Sequence, residues 1–110
     1  MAAFAKGDIV LFPFPYTNLT DKKIRPCLVI SNEMNQDIIL CQITSQQIKR
    51  DEFSIELKQN ETKQGSLKIN SYIRVNMIFI ADKSIIIKKI CQVPDKIYTL
   101  VTSTINNMIK

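Results

Sequence analysis

Apolar and polar positions divide the chain into short strand-like runs followed by one helix-like stretch. The clearest unit is residues 25–44, RPCLVISNEMNQDIILCQIT. Two apolar runs, residues 26–30 and 38–43, flank a polar stretch at 32–37, which predicts a β-hairpin. Pairing Asn32 with Asp37 sets Arg25 opposite Thr44, whereas pairing Ser31 with Asp37 sets it opposite Ile43. In either register a cation and a hydroxyl come within one step of each other, since directly opposed Cβ atoms are roughly 4.5–5.5 Å apart. A pair of that kind at the open end of a sheet is suited to binding a phosphate.

The remaining pattern supplies more strands and a helix. GDIVLF (7–12) opens with a Gly-Asp break and runs apolar, as a first strand. Pro13 and Pro15 lack the amide donor that a central strand needs. Residues 13–24 are therefore expected to form a loop, aromatic at its start and basic at its end. Arg25, placed before Pro26, is held extended at the junction of loop and strand; the plain alternative for it is a surface pair with Asp21. FSIEL (53–57) alternates with period two as a half-exposed strand. Residues 58–64 form a polar loop with Gly65 as its turn. SYIRVNMIFI (71–80) is a further strand, and 85–93 one or two more, interrupted near Lys88 and Lys89. Pro94 suits the first turn of a helix and Asp95 its positive end. Ile97, Leu100, Val101, Ile105 and Met108 follow helical spacing, predicting an amphipathic helix over 94–109. No linker or repeat interrupts residues 1–110. The expected architecture is a single domain, mainly β with α: a small, mostly antiparallel barrel of about six strands with a C-terminal helix.

Composition narrows the chemistry. The chain carries a net charge of +5 and contains no histidine. The charge favours polyanionic partners. Lack of histidine removes every Ser/His/Asp or Cys/His triad and the commonest metal ligand. With only two glycines there is no glycine-rich phosphate loop, and neither H-E-x-x-H nor a carboxylate cluster occurs. No cofactor and no metal are expected. Cys27, Cys41 and Cys91 are odd in number, lack C-x-x-C spacing and sit in apolar runs, so they are expected to be buried, reduced thiols. No apolar run approaches the length of a membrane span, and the N-terminal residues lack a signal-peptide core. The expected setting is cytoplasmic, away from membranes.

GDIVLF, the proline-containing segment, RPCLVIS and QITS, taken in that order, resemble the MazF/PemK family of toxins from toxin–antitoxin pairs. The likeness continues through Gly65-Ser66-Leu67-Lys68, SYIRVNMI and the final helix. It implies a Src-homology-3-like barrel of the MazF/CcdB kind, a homodimer, and a metal-independent endoribonuclease that cuts single-stranded RNA. It also implies neutralisation by a cognate antitoxin. The family's catalytic arginine and threonine fall on Arg25 and Thr44, with Ser45 beside them. Tyr16 and Tyr72, together with Phe14, are candidate base-stacking residues, and Lys22, Lys23 and Lys49 candidates for tracking the RNA backbone. Arg74 and Asn76 fall where some members carry an arginine and an acid; Asn76 cannot serve as a base. An alternative is a non-catalytic toxin resembling CcdB, which poisons DNA gyrase by protein–protein binding.

Overall fold

Residues 3–15, 22–46 and 52–110 are described by a computed structural model of the protein. Within them the alternating runs become β1 (Asp8–Pro15), β2 (Lys22–Val29), β3 (Asp37–Thr44), β4 (Ser54–Leu57), β5 (Ser71–Asp82) and β6 (Lys88–Gln92), followed by helix α1 (Asp95–Ile109). All the pairings are antiparallel, in the order β4-β5-β3-β2-β1-β6. The sheet curls into a half-barrel. An isolated backbone pair, Lys63 with Gln92, carries the segment after β4 across to β6 at the other end of the sheet.

Two glycines make this curvature possible. Gly7, at φ +94°, donates to the Val29 carbonyl at 2.9 Å and accepts from the Val93 amide at 2.9 Å. Gly65, at φ +134°, passes so close to β6 that a Cβ there would lie 2.2 Å from the Ile90 carbonyl oxygen. Next to Gly7, the buried Asp8 carboxylate accepts from the Ala5 amide at 2.9 Å and the Gln92 side chain at 2.8 Å, with Lys89 Nζ at 3.3 Å. The start of β1 is thereby tied to β6.

Since strand side chains alternate in direction, the sheet has two separately packed faces. Ile9, Leu28, Cys41, Ile43, Ile73 and Val75 belong to the larger core, completed by Ile97 and Val101 of α1. Tyr98 packs against that core and donates its hydroxyl to the Ile30 carbonyl at 2.9 Å. The helix stripe is narrower than its spacing suggests: Leu100 and Met108 are exposed. On the other face Val10, Cys27, Val29, Ile38 and Leu40 form a smaller core, flanked by Phe12, Phe14 and Phe79. These three rings meet edge-on or tilted with centroids 5.2–5.4 Å apart. All three cysteines are free and buried. No helix among the described residues is long and apolar enough to cross a membrane.

Two expectations are corrected. Strand β1 does not stop before Pro13 but runs to Pro15, pairing Pro13 with Ile24 and Phe14 with Lys23. The reason lies in its other neighbour, because β6 covers β1 only from Asp8 to Leu11. Beyond Leu11 the strand is an edge, where proline is tolerated. The expected loop over 13–24 is thus reduced at both ends, and its remainder, residues 16–21, lies outside the described residues. The second correction concerns the stretch 85–93. Only Lys88–Gln92 is a strand, Lys83–Ile85 forming a short 3-10 turn whose Ser84 amide donates to Asp82 at 2.9 Å.

Candidate nucleic-acid interface

The hairpin register selects one of the two alignments left open by the sequence. Cys27 pairs with Gln42, Leu28 with Cys41 and Val29 with Leu40. Continuing that register by two residues sets Arg25 across from Thr44. With period two, Lys23 and Arg25 on β2 share a face with Gln42 and Thr44 on β3, the face carrying the smaller core. Where that core ends, a cavity of about 300 Å³ opens. Its walls include Lys23 and Arg25 from β2 and Gln42, Thr44 and Gln46 from β3 and the residues just after it, with Phe14 and Arg74 closing the sides.

A break in the sheet gives this cavity its depth. Between Cys41 and Ile43 the pairing of β3 with β5 jumps from Ile78 to Ile73, so the β5 segment 74–77 faces Gln42 alone. Bulges of this kind re-aim side chains beside functional sites. Here the bulge begins at Arg74, whose side chain reaches the cavity. Arg74 Nε is buried without a hydrogen-bond partner, as is the hydroxyl of Ser54, its register partner on β4.

The electrostatics are one-signed. Among the described residues three cations line the cavity, with no carboxylate, imidazole or thiol beside them. Arg25 is half-buried and forms no ion pair among the described residues; Asp21, the alternative partner, lies outside them. Thr44 is 8% exposed, and its Oγ1 accepts the Gln46 amide at 3.2 Å. With that lone pair engaged along its own backbone, the hydroxyl proton is available to an anionic oxygen. Cys27 lies two residues beyond Arg25, beneath the cavity. Burial pushes its thiol up to about 12, with the Cys41 thiol adding and the Arg25 charge opposing. It remains a neutral thiol near pH 7.

The other candidate residues distribute unevenly. Lys23 and Arg74 join Arg25 and Thr44 in the cavity. Tyr72 is half-buried and is the cross-strand neighbour of Thr44, but is not a cavity wall. Ser45 is exposed and lines a second cavity of about 510 Å³ with Ile24, Pro26, Leu67 and Ile69, a cavity that Lys23 and Arg25 also border. Asn76 is exposed beside Phe53, Thr104 and Met108, at the end of α1. Tyr16, Lys49 and the Lys22 side chain lie outside the described residues. Reading by motif missed Gln42 and Gln46. Their signal is present nonetheless, as alternate positions with Thr44.

Comparison with known proteins bears on the fold and the family. The MazE–MazF complex of Deinococcus radiodurans superposes with a TM-score of 0.79 at 16% identity, covering 98% of this chain and 97% of that one. MazF alone from the same organism gives 0.74 at 17% identity, covering 99% and 98%. An endoribonuclease in complex with its cognate antitoxin, from a mycobacterial species, gives 0.73 at 13% identity, covering 97% and 95%. At these identities the likeness establishes the fold. A search of curated proteins returned no match. The family model described as PemK-like, MazF-like toxin of type II toxin-antitoxin system matches residues 5–109. That match takes in nearly the whole chain, which belongs to the PemK/MazF toxin family.

Proposed function

We propose that the protein is a metal-independent endoribonuclease toxin that cleaves single-stranded RNA in the cavity between β2 and β3. The observation that carries this reading is the meeting of Arg25 and Thr44 in a cavity whose described walls carry three cations and no acid. In the proposed reaction the ribose 2′-oxygen attacks the neighbouring phosphorus. A bond from phosphorus to the 2′-oxygen forms as the bond to the 5′-oxygen breaks. The products are a cyclic phosphate and a 5′-hydroxyl; the 2′-hydroxyl loses its proton and the 5′-oxygen gains one. Negative charge builds on the non-bridging oxygens in the transition state. Arg25, always protonated, is assigned to that charge, and the Thr44 hydroxyl donates to one of the same oxygens. Preorganised donors act most strongly where charge develops. Lys23 follows the incoming backbone and the Phe14 ring offers a stacking surface for an unpaired base.

The described donor set supports chemistry without a metal, because ammonium and guanidinium groups cannot ligate a divalent cation and the two glutamine carbonyls bring no charge to one. DNA is excluded by the obligatory 2′-hydroxyl. The mycobacterial relative is seen with its cognate antitoxin, and an antitoxin is the proposed protein partner here; a homodimer is the proposed assembly and the cytoplasm the proposed location. The gyrase-poisoning alternative is not favoured, since it gives Arg25 and Thr44 no reason to share a cation-lined cavity. The test is incubation of purified protein with a sequence-diverse RNA pool in EDTA. Fragments ending in cyclic phosphate and beginning with 5′-hydroxyl are expected. An uncut pool would overturn the assignment.

A further inference from the structure

The cavity contains more than a phosphate site needs. Gln42 lies on its wall two residues before Thr44 on the same face of β3, so the two are roughly 6.5–7 Å apart along the strand. That is about the reach from a phosphate to the base of an adjoining nucleotide. The Gln42 amide is half-buried and makes no hydrogen bond among the described residues. A half-buried amide without a partner gains most from a ligand that supplies both a donor and an acceptor. The β5 bulge leaves room for one, because β5 departs from register opposite this residue and no other. Phe14, on another wall, offers a flat apolar ring.

We infer that Gln42 is a base-reading residue: its amide hydrogen-bonds the edge of one base beside the scissile phosphate and sets the sequence preference at that position. Arg25 and Thr44 handle the phosphate, which is the same in every nucleotide, and Gln42 handles what differs. This inference rests on the ribonuclease reading above. It divides β3 by function at alternate residues, recognition at Gln42 and charge stabilisation at Thr44.

Gln42→Met keeps the length and removes both hydrogen-bonding groups, whereas Gln42→Asn keeps the amide but withdraws it by one methylene. Each variant and the parent protein are incubated with the same sequence-diverse RNA pool, and the cut ends are sequenced. Gln42→Met is expected to flatten the preference at one position by about tenfold to a hundredfold, with the other positions of the motif retained. Gln42→Asn is expected to weaken or change the preferred base at that same position. An unchanged motif in both variants overturns the inference while leaving the ribonuclease reading intact. So does a folded Gln42→Met that cuts nothing, because Gln42 would then belong to the cleavage machinery. A parent protein that cuts no RNA removes both readings together.

Discussion

The two faces of the β2–β3 hairpin are built from alternate residues of the same strands and reach opposite ends. On one face Leu28, Cys41 and Ile43 are fully buried in the core shared with α1. On the other, the apolar core stops at Cys27, and Arg25, Gln42 and the buried Thr44 take over as cavity walls. The well-packed face sets the register, and the register determines which side chains meet on the open one. A slip of one residue would turn Arg25 towards the core and Pro26 towards the cavity. Precision at the site is thus a by-product of packing on the far side of the sheet.

Substitutions on the two faces should therefore separate cleanly. The largest effect is expected from Arg25→Ala, with cleavage falling by about 10²- to 10³-fold. Its unfolding free energy from urea titration should stay within about 1 kcal/mol of the parent, since the side chain is only half-buried and forms no ion pair among the described residues. Ile43→Ala, beside Thr44 but facing the core, should do the reverse. Removing its buried side chain costs roughly 2–5 kcal/mol, while cleavage well below the melting temperature persists. If Ile43→Ala instead lost activity without losing stability, the division between faces would be wrong. Thr44→Val preserves the β-branch and deletes the hydroxyl; a loss of roughly tenfold in rate is expected, about the worth of one hydrogen bond to a charged group.

A pH series compares the dryness of the two faces. Burial pushes Cys27 on the site face and Cys41 on the core face up to about 12 each, from the usual 9. The folded chain therefore keeps both protons where the unfolded chain loses them. Their contribution to stability is intact below pH 9 and declines as pH rises from 9 towards 12, by on the order of 1 kcal/mol per pH unit for each thiol. Cys27→Ala and Cys41→Ala should each flatten that decline by a similar amount. A decline left unchanged by Cys27→Ala alone would mean that water reaches beneath the cavity. The smallest effect concerns the far end of the hairpin. Glu33 accepts from Lys83 Nζ at 2.6 Å and the Phe4 amide at 2.7 Å, which lower its carboxyl below the usual range. A depressed carboxyl stabilises above its ordinary value and ceases to as acid protonates it. Glu33→Gln should slightly reduce the loss of stability seen on acidification below about pH 4.5, with cleavage at pH 7 unaffected.

The hairpin was legible because both its strands are bounded by polar residues, and the apolar runs leave only two registers to choose between. The helix was legible for the same reason, at 3.6-residue period, although the spacing could not tell that Leu100 would fall outside the contact. The prolines of β1 misled for a tertiary reason. Whether Pro13 interrupts a ladder depends on where β6 ends, which is 75 residues further along the chain. The bulge in β5 is invisible in SYIRVNMIFI, an apolar run with no glycine to mark it. Gln42 was obscured likewise, as one polar residue inside LCQIT, and only the cavity gives it meaning.

The uncovered end of β1 has a further consequence. Leu11 directs its carbonyl towards the β6 side, where it accepts from the Ile87 amide at 2.9 Å. Its alternates Pro13 and Pro15 direct their nitrogens the same way, where no strand among the described residues pairs with them. An ordinary strand end would present amide donors there, an invitation for a second extended chain to add itself to the sheet. Proline has none to present. This end of β1 can thus stay open without offering a ladder on which further copies of the chain would stack into an aggregate.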